Sequence, residues 1–214
     1  MADTGWVSAG LGQSIAKTGG VSDWALPTQI YSSDNLDSSA HPVPNYIQSH
    51  WLRASTFGFA IPDGATIDGI VVEFEKQCSR ALMRDWQVKI VRLGSESGTN
   101  KADIYTDWPS TDTYISYGGG TDKWGLTWTP AQINATNFGV SIAVSYIGSL
   151  QTAYARVDHV RIKVYYTEPS INTKINIGDA WKDADEIKIN IGDVWKPVVG
   201  IWINLGDVWR KVFG

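Results

Sequence analysis

The sequence has few of the residues that anchor metals, disulfides or catalytic triads. It holds one cysteine, Cys78, which excludes an intrachain disulfide framework and a cysteine-rich zinc site. Cys78 therefore reads as a small core or surface residue. There are three histidines, His41, His50 and His159, and none stands in metal-protease spacing or beside a second ligand. No run of 18 apolar residues occurs, so no membrane insertion is expected. The first ten residues, MADTGWVSAG, have neither a basic nor an apolar segment of the secretory kind. Synthesis in a cytoplasm without a signal peptide is therefore expected. Lys and Arg number 18 against 22 Asp and Glu, a net charge of −4. With no basic cluster, a nucleic-acid partner is not expected.

Helical periodicity is nearly missing too. Period-2 alternation recurs instead, bounded by Gly, Pro, Asn, Asp and Ser. Phe57, Phe59 and Ile61 share one face of such a run. Ile70, Val72 and Phe74 oppose Val71, Glu73 and Glu75 in the next. Trp86, Val88 and Ile90 alternate with Gln87 and Lys89. Phe138, Val140, Ile142 and Val144 alternate with small residues. Val160, Ile162, Val164 and Tyr166 alternate with His159, Arg161, Lys163 and Tyr165. Each pattern predicts one buried and one wet face of an antiparallel sheet. Pro62-Asp63-Gly64 reads as a turn, and SYGGGTDKWG as a glycine-rich loop without the features of a phosphate cradle. The one short helix predicted lies in TPAQINATN, with Thr129 as N-cap and Pro130 first. Residues 1–47 read as a strand or two plus an exposed loop. The whole predicts an all-β chain, with a jelly-roll-like antiparallel β-sandwich over residues 1–168.

The chain has eleven tryptophans, and four of them fall in a repeat at the C-terminus. Residues 173–186, 187–200 and 201–214 align without gaps as TKINIGDAWKDADE, IKINIGDVWKPVVG and IWINLGDVWRKVFG. Such a match marks an internal repeat. Each unit reads as a hairpin turning at Gly178-Asp179, Gly192-Asp193 or Gly206-Asp207. One 14-residue hairpin is marginal alone, so a small three-hairpin array over 173–214 is expected. Trp181, Trp195 and Trp209 read as core residues of the array, with a ligand platform as the alternative. Trp202 and Phe213 give the last unit an apolar end suited to assembly or binding.

No catalytic constellation emerges, and neither an enzyme activity nor a cofactor is expected. The best enzymatic alternative is Glu73 with Glu75, two carboxylates on one strand face roughly 6–7 Å apart, a spacing within reach of glycoside hydrolysis. Trp86, Arg92 or Tyr165 would then be sugar platforms. No metal is expected either; Asp63 and Asp158, the latter read as preceding the last strand, are weak calcium candidates.

The segments FGFAIPDGATIDGIVVEFE, WTPAQINATNFGVSIAV and ARVDHVRIKVYYT resemble β-sandwich proteins of tailed-bacteriophage structural gene clusters. The INIGDAWK, INIGDVWK and INLGDVWR units resemble short C-terminal repeats of phage virion proteins. The resemblance covers roughly residues 48–214 and rests on pattern alone. It implies a non-enzymatic virion component of tail, fibre, baseplate or head decoration, partnered by other virion proteins. A homo-oligomer is implied, with a trimer as one form and host-surface attachment as a further role. The alternative is a carbohydrate-binding module for host glycans, motivated by the excess of Trp and Tyr.

Overall fold

A computed structural model describes residues 1–42, 47–149 and 153–169, and the backbone of six strands between 173 and 213. The chain divides into two compact units, Met1–Glu168 and Pro169–Gly214. The first unit contains β1 (Ala2–Asp3), β2 (Val7–Ser8), β3 (Leu11–Ile15), β4 (Gly20–Ser22), β5 (Trp24–Ala25), β6 (Ser38–Ala40), β7 (Gln48–Ser49), β8 (Trp51–Ser55), β9 (Thr66–Cys78), β10 (Met83–Arg92), β11 (Ser95–Ser97), β12 (Thr113–Gly119), a short helix α1 (Pro130–Asn134), β13 (Gly139–Tyr146) and β14 (Ala155–Thr167).

These strands form two sheets. The first runs β12-β9-β14-β6-β5, with β1 and β2 also paired to β14. The second runs β11-β10-β13-β7-β4, with β8 between β13 and β3. From β8 to β14 the long strands alternate between the sheets, as a jelly roll requires. The fold is an all-β sandwich, and nearly every strand pair in it is antiparallel. The inward rows of β9 and β14, from Ile70, Val72 and Phe74 to Val160, Ile162 and Val164, are fully buried. They meet Val88, Ile90, Val140 and Ile142 from the other sheet in one core. No described helix is long and apolar enough to cross a membrane.

Three local readings of the sequence need correction. Phe57, Phe59 and Ile61 are buried, but outside any strand. The Asn134 side chain stands in for a neighbouring strand: its Oδ1 accepts from Ile61 N–H at 2.9 Å, and its Nδ2 donates to Ile61 O at 2.9 Å. Trp86 does not share a face with Val88, because the pairing with β13 shifts between Asp85 and Gln87. Trp86 is the extra residue of a bulge, and Asp85 is the residue that turns into the core. β13 has no wet face: all eight of its residues are buried.

The helix forms as its sequence predicts. Thr129 caps it, accepting from Gln132 N–H, while the Gln132 side chain accepts from Thr129 N–H at 3.1 Å. This capping box satisfies two otherwise orphaned donors. The turn before β9 also forms, with Ala65 N–H donating to Pro62 O at 3.2 Å and Gly64 at φ +80°.

A buried polar network joins the sheets at one end of the core. Lys76 enters from β9 and Asp85 from β10, with Nζ 2.7 Å from Oδ1. Asp85 also accepts from Trp108 Nε1, Tyr117 Oη and Asp103 N–H, at 2.7, 2.7 and 3.1 Å. Lys76 meets the Tyr117 hydroxyl and sits 4.4 Å from the centre of the Trp108 ring. Its pocket, about 120 Å³, is walled by Trp108, Pro109 and Ile115. Cys78, buried beside it, donates from Sγ to Trp108 O at 3.3 Å.

The second unit contains β15 (Thr173–Ile177), β16 (Ala180–Ala184), β17 (Lys188–Ile191), β18 (Val194–Pro197), β19 (Ile201–Asn204) and β20 (Trp209–Phe213). They pair two by two as three antiparallel hairpins. The register repeats with the sequence: Asn176 lies opposite Trp181, Asn190 opposite Trp195 and Asn204 opposite Trp209. The turn residues Gly178, Asp179, Gly192, Asp193, Gly206 and Asp207 lie outside the described residues. So do the side chains of Trp181, Trp195, Trp202, Trp209 and Phe213.

Candidate functional site

The outer face of the first sheet carries a connected set of polar and aromatic groups. Strand register places it there. One row across the sheet reads Ser116, Glu73, Arg161, Ser8, from β12, β9, β14 and β2. The next reads Tyr114, Glu75, His159, Tyr31. Residues opposite one another in an antiparallel sheet hold their Cβ atoms about 4.5–5.5 Å apart, so seven of these side chains from four strands become neighbours, while Tyr31 turns to the second sheet, its Oη accepting from Gly12 N–H at 3.2 Å.

Their contacts fix the geometry. Arg161 donates from Nε to Glu73 Oε2 at 2.7 Å, and its Nη2 lies at the same distance from that oxygen. Ser116 Oγ donates to Glu73 Oε1 at 2.8 Å. The Arg161 guanidinium lies 3.9 Å from the Tyr114 ring centre and 4.8 Å from that of Trp6. His159 Nδ1 is 2.7 Å from Tyr114 Oη, and its Nε2 is 2.8 Å from Ser8 Oγ. Burial and the Arg161 charge both lower the His159 pKa, so the ring is neutral near pH 7, one nitrogen donating and the other accepting. Burial raises the Tyr114 pKa, which keeps its hydroxyl a donor. Lys163 lies 4.9 Å from Trp6 and 6.0 Å from Tyr165. Trp6 remains 36% exposed beside Arg161 and Lys163.

Beside the belt lies an acidic group. Asp158 is the extra residue of a bulge within β14, where the pairing shifts between Val157 and His159. It does not precede the strand, as its sequence context implied. It is 1% exposed, its Oδ1 accepts from Asp34 N–H at 3.4 Å, and its Oδ2 has no partner. Burial pushes its pKa up to about 6, and the charges of Glu75 and Asp34 add to this. Asp37 and Asp112 are also raised, first by burial and then by carboxylates around Glu75.

The other sequence candidates separate. Asp63 lies before Thr66, the end of β9 opposite Thr167, while Asp158 lies at the level of Lys76 and Glu75. At about 3.3 Å per residue those levels are roughly 30 Å apart, so the two cannot share an ion. Among the described residues no group of three His, Cys, Asp or Glu is arranged to hold a metal. Glu73 and Glu75 do share a face, but Arg161 and Ser116 occupy both oxygens of Glu73. Trp86 and Arg92 belong to β10, in the other sheet, where Arg92 lies 5.9 Å from the Trp128 ring. Only Tyr165 stands on the same face as the glutamates. Sequence reasoning did not single out Trp6, Ser8, Tyr114 or Ser116: Trp6 and Ser8 lie in residues 1–47, read as a strand or two plus an exposed loop, and Ser116 opens the segment read as a glycine-rich loop.

No protein-family model matches this sequence, and no curated protein does. Among solved structures, the chain is similar to one described as "CBM4 structure and function", at 13% identity and a TM-score of 0.37, covering 74% of this chain and 93% of that one. It is similar to the CBM36-1 domain of a multidomain xylanase from the hindgut metagenome of Trinervitermes trinervoides, at 10% identity and a TM-score of 0.31, covering 76% and 96%. It is also similar to the N-terminal cellulose-binding domain of Cellulomonas fimi β-1,4-glucanase C, at 14% identity and a TM-score of 0.32, covering 76% and 88%. At these scores the likenesses carry no argument about a ligand.

Proposed function

We propose that the sandwich unit is a non-catalytic carbohydrate-recognition module whose binding surface is the outer face of the first sheet. The observation that carries this is the exposed Trp6 ring among side chains already held by one another. A sugar ring offers an apolar C–H face and a rim of hydroxyls. Trp6 and Tyr165 supply flat apolar surface with little conformational freedom to lose. Arg161 uses Nε and Nη2 on Glu73 and keeps further donors for a ligand. The occupied Glu73 carboxylate suits orientation rather than acid–base work. A glycan array probed with the full chain identifies the ligand, and calorimetry then measures it. Trp6→Ala is expected to weaken binding roughly 30-fold, the size of a 2 kcal/mol hot spot, with the melting temperature little changed. Unaltered affinity in that variant would remove the site from this face.

A second reading concerns where the module works. The three C-terminal hairpins share one register at their Asn–Trp pairs, which favours a repeated element used to join a larger assembly. With the sequence resemblance, this supports a tailed-phage virion component, partnered by other virion proteins or by copies of itself. A chain ending at Glu168 is expected to keep its fold and its glycan binding while losing incorporation into particles. Immunoblots of purified virions measure this; equal incorporation of both chains would rule out the array as the connector.

A further inference from the structure

Among the described residues the first sheet ends at β12 on an edge with no neighbouring strand. Along β9, even-numbered residues turn their backbone groups toward the β12 side: Ile70 N–H donates to Asp122 O at 3.0 Å, Ile70 O accepts from Trp124 Nε1 at 3.0 Å, and Cys78 N–H donates to Pro109 O at 2.8 Å. The even residues Val72, Phe74 and Lys76 face Tyr117, Ile115 and Thr113, so those three residues of β12 spend their N–H and C=O groups on β9. By the alternation of an antiparallel ladder, Tyr114, Ser116 and Gly118 turn theirs outward. Among the described residues none of these outward groups has a hydrogen-bond partner.

Natural sheets guard such edges with charge, proline, bulges or cover. The sequence TYISYGG of β12 has no charge or proline, and its register with β9 is unbroken. Two edges of the second sheet are managed. β11 is three residues long and carries Glu96. β3 is covered by the Pro27–Ile30 turn, whose Pro27 O would lie 1.9 Å from a Cβ at Gly12.

We infer that β12 pairs antiparallel with β12 of a second copy of this chain. The strand is self-complementary about Ser116. A twofold axis there sets Ser116 opposite Ser116 of the second copy, and Tyr114 opposite Gly118. The three pairs exchange about six backbone hydrogen bonds. Gly118 stands at φ +82°, and a Cβ there would lie 2.3 Å from Ile70 O and 2.8 Å from Trp124 Nε1, so the position stays bare. No like charges on the strand oppose the match. Pairing at the edge leaves both outer faces open and joins them into one continuous surface. This inference does not depend on the glycan reading.

The symmetric register puts two position-116 Cα atoms about 5.5 Å apart, within disulfide reach. The full-length Ser116→Cys variant is therefore expected to run mostly as a disulfide-linked dimer after mild oxidation at micromolar concentration, while Ser95→Cys on β11 stays monomeric under the same treatment. Cys78 is buried and does not compete. Ser116→Lys, which sets two ammonium groups face to face, is expected to halve the mass by sedimentation. A Ser116→Cys chain that stays reduced, or crosslinks no faster than Ser95→Cys, overturns the pairing. So does a Ser116→Lys chain with the mass of the parent.

Discussion

Asp85→Ala is expected to cost about 3–5 kcal/mol of stability, the range seen when one partner of a buried ion pair is removed. Lys76 is 3% exposed, and burial already lowers its pKa against the pull of Asp85. Without Asp85 the ammonium keeps the Tyr117 hydroxyl and the faces of the Trp108 and Tyr117 rings. Trp108 Nε1, Tyr117 Oη and Asp103 N–H lose their acceptor together. The loss spreads, because Trp108 and Asp103 lie in the long connection from β11 to β12 and the network fastens it to both sheets. Urea unfolding of the full chain measures the cost as a drop in midpoint. Part of it should return as pH rises: a Lys76 with a folded pKa below its unfolded value binds fewer protons than the unfolded chain, so alkaline conditions favour the fold. The double variant Lys76→Met, Asp85→Leu is expected to recover only the share owed to the unpaired ammonium, because Trp108 Nε1, Tyr117 Oη and Asp103 N–H still lack their acceptor. If Asp85→Ala unfolds at the parent's midpoint, the network does not hold the sheets.

Asp158→Asn carries the opposite sign. The Asp158 carboxyl titrates at about 6 in the fold against an ordinary value of 3.8, so the folded chain binds the extra proton between those values. Stability therefore falls as pH rises through that window and stays low above it. A shift of this size corresponds to about 3 kcal/mol, which solvent relaxation reduces to about 1–3 kcal/mol. Asparagine keeps an oxygen for Asp34 N–H and removes the charge facing Glu75. The variant is expected to melt several degrees higher than the parent at pH 7.5 and with it at pH 4. Asp37 and Asp112, raised for the same reason, add to the parent's gain on mild acidification. Equal melting at pH 7.5 would mean the buried charge is solvated by a route the fold does not reveal.

The long strands were legible in the sequence because one of their faces is buried. The alternation of Ile70, Val72 and Phe74 against Glu73 and Glu75 names the inward and outward rows of β9 correctly, and Val160 to Val164 does so for β14. Thr129 and Pro130 name the helix start, since capping chemistry is local. What failed was non-local. β1, β2 and β4 to β7 are two or three residues long, too short for any periodicity, and exist because β14, β8 and their neighbours offer partners. β12 ends in two glycines, and its second half belongs to the SYGGGTDKWG segment that reads as a loop, although β9 pairs with all seven of its residues. Bulges at Trp86 and Asp158 reverse the facing of single residues within otherwise regular patterns. The site suffered most from this. Glu73 is legible as outward on one strand and Arg161, Lys163 and Tyr165 on another, but only register across strands joins them to one another and to Trp6 and Tyr114.

The most direct test of a glycan-binding outer face is chemical-shift mapping of the isotope-labelled full chain, titrated with the sugar that an array selects. The account predicts saturable shifts centred on Trp6, Tyr114, Ser116, Arg161 and Tyr165, with the Trp6 indole N–H among the largest. Shifts confined to the exposed aromatic loops around Tyr105 and Tyr154, or no saturable shift with any glycan, would contradict it.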